Sequence, residues 1–129
     1  MGVALELSKR SMAAIEAKDR QGWLDLFADD GIVEDPVGPS MFDAEGVGHR
    51  GKEAIAVFYD TVIAMSDSIR FQIRDSYDCG VEVANVGEIH ITIGGKVGIC
   101  RLVSTYRASP DGKLAALRAY WEQDKLAFS

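Results

Sequence analysis

The sequence predicts an α+β domain, with helices packed on one face of an antiparallel sheet. Three observations lead there. Residues 3–65 carry mostly helical spacing of apolar side chains, interrupted by one short extended run. Residues 68–125 switch to strict alternation, the period of a strand. Gly94-Gly95 and Pro110-Asp111-Gly112 punctuate that half as tight turns. Helices followed by a meander is the α+β order, and a long curved sheet over three helices encloses a conical cavity open at one end.

Residues 3–18 are rich in Ala, Leu, Glu, Lys and Met, good helix formers, and Ala4, Leu7, Ser11 and Ala14 share one face. Asp19 is placed to cap a second helix, residues 20–28, that contains Trp23, Leu24 and Phe27. Residues 31–35 read as a short strand, and 36–49 as a Gly/Pro loop in which Met41 and Phe42 are candidate lid residues. A third helix over 51–65 turns Ile55, Phe58, Val62 and Met65 to the core. Strands come next at 68–76, 81–93, 97–108 and 113–125. In 83–93, Val83, Asn85, Ile89 and Ile91 share one face, while Glu88 and His90 share the other.

With 129 residues and no repeat or linker, the chain is expected to form one domain, 1–129. A net charge of −6 argues against nucleic acid and anionic membranes, both of which are held by Lys and Arg. Cys79 and Cys100 lack metal-ligand spacing and read as reduced thiols. No signal segment and no apolar run of spanning length is evident, so a cytoplasmic location is expected. No motif calls for a metal or cofactor.

The residue with the clearest chemical potential is Asp35. It ends the run Gly31-Ile-Val-Glu-Asp-Pro-Val-Gly38, where the proline after it biases it towards an extended backbone. A carboxylate at a fixed strand end beside an apolar cavity can move a proton. The same position also suits a turn aspartate that caps nearby N–H groups. Glu34 and Asp35 are neighbours on a strand and point to opposite faces, so they form no dyad. His90 belongs to the face away from the cavity, and His49 lies near its mouth.

Leu26-Phe-Ala-Asp-Asp-Gly-Ile-Val-Glu-Asp-Pro-Val-Gly38, Gly48-His-Arg-Gly-Lys-Glu-Ala-Ile-Ala-Val-Phe-Tyr59 and Leu117-Arg-Ala-Tyr-Trp121 together resemble the bacterial ketosteroid isomerases. These belong to the cone-shaped NTF2-like group, which also includes nuclear transport factor 2 and polyketide cyclases. The resemblance implies three N-terminal helices on a curved antiparallel or mixed sheet enclosing a cavity. It also implies a homodimer through the outer sheet face, a flat apolar ketone as ligand and no cofactor. Asp35 matches the catalytic base, Trp121 a pocket tryptophan and Tyr59 a tyrosine that supports the oxyanion hole.

The chain departs from the family where the ketone is polarised. There the family uses a tyrosine on the first helix and a protonated aspartic acid on the third long strand. Spacing from Asp35 and Trp121 puts Ser11 and Ser104 at these positions, and Phe27 at a second supporting tyrosine. The 36–49 loop is also longer than in typical members. The expected activity is an isomerase with an oxyanion hole rebuilt from Ser11, Ser104 and Tyr59, its pocket lined by Trp121, Leu117, Phe58, Ile89, Ile91, Leu102 and Phe27. The alternatives are a cyclase or dehydratase using the same aspartate, a non-catalytic steroid or polyketide binder, and a scaffold whose cavity is filled.

Overall fold

A computed structural model describes all 129 residues. Helix α1 spans Val3–Glu16 and buries Ala4, Leu7, Ser8, Ser11 and Ile15. The expected stripe is therefore present, rotated slightly so that Ile15 replaces Ala14 as its last fully buried member. Helix α2, Arg20–Leu24, starts where the Asp19 side chain accepts a hydrogen bond from the Gly22 N–H at 3.0 Å.

α2 ends earlier than expected, and Phe27 opens strand β1, Phe27–Glu34. Sheet pairing overrides local helix propensity here. The Leu114 N–H donates to the Leu26 carbonyl at 2.7 Å, and Phe27 pairs in parallel with Leu114. A two-residue strand, β2 (His49–Arg50), pairs with β1 through Val33 and His49, an element the sequence did not reveal.

Helix α3, Lys52–Phe58, continues as a π-helical turn over Tyr59–Ile63. The widened turn shifts the angular phase of the residues after it. Ile63 is buried, whereas Met65, expected in the core, is 66% exposed.

The long strands are β3 (Ser68–Asp78), β4 (Glu82–Ile93), β5 (Lys96–Ala108) and β6 (Leu114–Tyr120). β6 stops five residues short of the expected end, and a 3-10 turn at Gln123–Lys125 succeeds it. The single sheet runs β2-β1-β6-β5-β4-β3, with β1 and β6 parallel and the other pairs antiparallel. Register shifts between Phe27 and Ile32, Ile73 and Asp75, and Arg107 and Ala108 mark bulges, which bend strands. At Gly87 a Cβ would lie 2.2 Å from the Gln72 carbonyl oxygen, so the close β3–β4 approach there requires glycine.

The main core packs α1, α2 and α3 against the concave face around Trp23, Phe27, Val33, Ile55 and Leu114. A buried polar ladder ties α1 to the sheet. Ser76 Oγ donates to Asn85 Oδ1 at 2.7 Å, Asn85 Nδ2 donates to Ser8 Oγ at 3.2 Å, and Ser8 Oγ donates to the Leu5 carbonyl at 2.8 Å. No helix is long and apolar enough to cross a membrane.

Candidate active site

Between helices and sheet lies a cavity of about 350 Å³, and 22 of its 27 lining residues are hydrophobic. That volume is in the range of small-molecule sites, about 300–1,000 Å³. The polar remainder is Asp35, Thr61, Ser66, Ser104 and Gln123, so Asp35 is the only carboxylate in the wall.

Asp35 comes directly after the last residue of β1 and precedes a cis peptide bond to Pro36. The Val37 N–H donates to the Ala119 carbonyl at 2.9 Å, which holds this segment alongside β6. Trp121 Nε1–H donates to Asp35 Oδ1 at 2.5 Å. Burial pushes the Asp35 carboxyl up to about 6, and the Trp121 hydrogen bond only partly opposes it. Glu34 points the other way and pairs with Arg118 on the outer face, as alternation requires.

Strand register places the rest of the wall. Val33 pairs with Leu117 on β6, and Ala119, two residues on, pairs with Ser104 on β5. Asp35 and Ser104 therefore flank Ala119 on the concave face, with backbones about 10 Å apart (two strand spacings). The small, buried Ala119 side chain leaves the space between them open. Tyr106 is the next residue on the same face of β5, opposite Leu117 on one side and Val83 on the other.

Of the expected lining residues, Trp121, Leu117, Phe58, Ile89, Ile91 and Leu102 line the cavity, as does Ser104. Met41 and Phe42 also reach it, and the Met41 N–H donates to Gln123 Oε1 at 3.0 Å, tying the 36–49 loop to the C-terminal segment.

Three expected residues lie elsewhere. Phe27 is in the core beneath Trp23, edge to face at 4.8 Å, because it begins a strand. Tyr59 opens the π-turn and stacks at a tilt on Trp23, 5.6 Å away. It does not line the cavity, and burial, with the charges of Asp19 and Asp60 adding and Arg20 opposing, raises its hydroxyl. Ser11 is fully buried behind the wall, where its Oγ accepts the Trp23 Nε1–H bond at 3.0 Å.

His49 also sits behind the wall, 4.8 Å from the Phe58 ring, and its buried Nε2 has no partner. His90 lies on the outer face against Glu88, as alternation predicts.

Sequence reasoning assigned no role to Tyr106, Cys100 or the C-terminal Leu126 and Phe128, all of which line the cavity. Burial raises the Cys100 thiol to about 12, with the Asp35 charge adding to it. Tyr106 is likewise raised to about 12 by burial, against the pull of Ser11 and Ser104 and with the push of Asp35. Alternation from Ser104 was the available signal for Tyr106. The arrangement offers one carboxylate able to take up a proton near neutrality, opposite neutral hydroxyl donors, in an apolar enclosure.

The SnoaL-like domain family matches residues 9–122. No curated protein matches the chain. The Δ5-3-ketosteroid isomerase from a Mycobacterium species is 35% identical, with a TM-score of 0.93, and the match covers 100% of both chains. Mycobacterium tuberculosis RV0760c, solved in complex with estradiol-17beta-hemisuccinate, is 34% identical with a TM-score of 0.91, over 99% of this chain and 100% of that one. A computationally designed 17-OHP binder is 34% identical with a TM-score of 0.92 over 100% of both chains. The curved mixed sheet with its helices on one face is the fold of these relatives, and the chain belongs to the SnoaL-like, NTF2-like family.

Proposed function

We propose that the protein is a cofactor-independent isomerase of the ketosteroid isomerase type, acting on a flat apolar ketone by intramolecular proton transfer. The observation that carries this reading is Asp35: the one carboxylate in an apolar cavity, raised to about 6 by burial and oriented by Trp121. A base with a pKa near the working pH transfers protons efficiently in both directions. Asp35 takes a proton from the carbon next to the carbonyl, and the C–H electrons move into a dienolate. It then returns the proton to the remote carbon of the conjugated system. The similarity to a Δ5-3-ketosteroid isomerase over the whole chain supports the substrate class.

A binding role without turnover is the second reading. It is favoured by serine at both expected donor positions, Ser11 and Ser104, and by relatives that include a steroid complex and a steroid binder. Ultraviolet absorbance separates the two. Wild type should convert a β,γ-unsaturated 3-ketosteroid to the conjugated ketone, and Asp35→Asn should lose nearly all of that activity. Equal rates in both proteins would remove Asp35 from the chemistry. No wild-type turnover, together with a steroid-induced rise in Tm, would leave the binder.

The protein is further proposed to pair as a homodimer through the outer sheet face. Val97, Ile99, Val103 and Tyr120 are exposed there, around the Glu88 ion cluster with Arg74 and His90.

A further inference from the structure

We propose that Tyr106 is the hydrogen-bond donor that holds the substrate carbonyl, a duty this chain has moved from the first helix to the fifth strand. The inference rests on the isomerase reading for its catalytic half and stands alone as a statement about binding.

The relevant positions are fixed by the fold. Tyr106 lines the cavity two residues beyond Ser104, on the same face of β5. It is 4% exposed, anchored between Val83 and Leu117, with α1 packed over the strand. Ser11 on α1 and Ser104 on β5 both act on its hydroxyl. Ser11 is itself held, since its Oγ accepts the Trp23 Nε1–H bond at 3.0 Å. Ser11 is thus a buried support behind the wall, and a short serine there leaves room for a phenol arriving from the opposite layer.

The chemistry favours the phenol. A phenol is a far stronger acid than an aliphatic hydroxyl and so a better donor to a developing oxyanion. Burial keeps Tyr106 protonated at neutral pH, so it donates and does not repel negative charge. Asp35 and Tyr106 reach the cavity from different strands with β6 between them. A flat ketone lying over Leu117 and Ala119 would present its carbonyl oxygen to Tyr106 and its acidic C–H to Asp35. During the reaction Tyr106 keeps its proton and hydrogen-bonds the dienolate oxygen. The proton that moves passes only between substrate carbon and Asp35.

Tyr106→Phe tests this with two readouts. In turnover of the β,γ-unsaturated 3-ketosteroid, kcat should fall by about 10²–10³, the loss typical of one oxyanion donor, with little change in KM. In binding, estradiol carries a phenolic oxygen that mimics the dienolate, and 3-deoxyestradiol lacks it. Wild type should prefer estradiol by about tenfold, as one hydrogen bond near 1.4 kcal/mol predicts, and the preference should vanish in Tyr106→Phe. Thermal unfolding checks that the variant folds; Tyr106→Met, of similar volume and without the hydroxyl, replaces it if needed. Wild-type kcat or an unchanged estradiol preference in the variant overturns the assignment. Selective estradiol binding that depends on Tyr106, without any ketosteroid turnover by wild type, supports the contact and refutes only the isomerase reading.

Discussion

Asp35→Asn should make this protein more stable at alkaline pH while abolishing its proposed activity. The carboxyl rises from an ordinary 3.8 to about 6 in the folded state because burial disfavours its charge. A folded pKa above the unfolded one means that the native state binds the extra proton between these two values. Stability is therefore fully present below pH 3.8 and falls as pH rises towards 6. The shift is about 2 pKa units, or about 3 kcal/mol at 1.36 kcal/mol per unit, an upper figure because the side chain meets the cavity. At pH 4 the same linkage leaves a penalty of only about 0.5 kcal/mol. Asparagine is close in shape to a protonated aspartic acid and never ionises. Urea unfolding should thus show Asp35→Asn more stable by about 2–3 kcal/mol at pH 8 and nearly equal to wild type at pH 4. Equal stability at pH 8, or the same gain at both pH values, would mean that the carboxylate is solvated. The cavity would then not be a dry enclosure.

Trp121→Phe removes the 2.5 Å bond that favours the charged carboxylate. Such bonds are worth about 1.5–3 kcal/mol, so the base should titrate about 1–2 units above 6, and the rising limb of the kcat/KM profile should move up in pH with it. An unmoved limb would show that Trp121 packs without tuning. For the proposed dimer, Ile99→Asp puts a charge into the exposed apolar patch of the outer face. Sedimentation equilibrium should then report a monomer where wild type is a dimer. A wild-type monomer would dismiss that interface.

The meander was legible because it obeys one simple rule. Alternation separated Val83, Asn85, Ile89 and Ile91 from Glu88 and His90, and the structure keeps that split: Ile89 and Ile91 line the cavity, while Glu88 and His90 pair with each other on the outer face. Asp35 was legible because proline fixes where β1 ends. The features that escaped the sequence depended on distant partners. Phe27 sits in a helix-like run, yet Leu114 draws it into the sheet. Residues after Tyr120 keep an alternating pattern, but β1 has already ended at Glu34 and the chain leaves β5 for the 3-10 turn at Gln123–Lys125, returning to it only at the Gly98–Phe128 bridge. Met65 was misplaced because the π-turn breaks the 3.6-residue phase on which its expectation relied. Ser11 was expected to face the cavity as a donor, yet it is buried behind the wall. Its partner proved to be Trp23 from α2, which no spacing within α1 can reveal.

The two buried serines on α1 divide between anchoring and the proposed site. Ser8 and Ser11 are neighbours on α1, and both are fully buried. Ser8 joins Asn85 in the ladder that fastens α1 to the sheet, a role that needs only satisfied hydrogen bonds. Ser11 follows three residues later; its Oγ accepts the Trp23 Nε1–H bond, and it lies close enough to the Tyr106 hydroxyl to influence its titration. Replacing a large donor on α1 by serine would ordinarily open a void, and voids destabilise. Under the proposed assignment Tyr106, part of the same core cluster as the α1 residues, supplies the phenol from the opposite layer. Packing and chemistry therefore constrain the same two positions jointly. Ser11→Tyr should lower Tm in the wild-type background and be tolerated beside Tyr106→Ala, because both rings would compete for one space, and thermal unfolding of the single and double variants checks this.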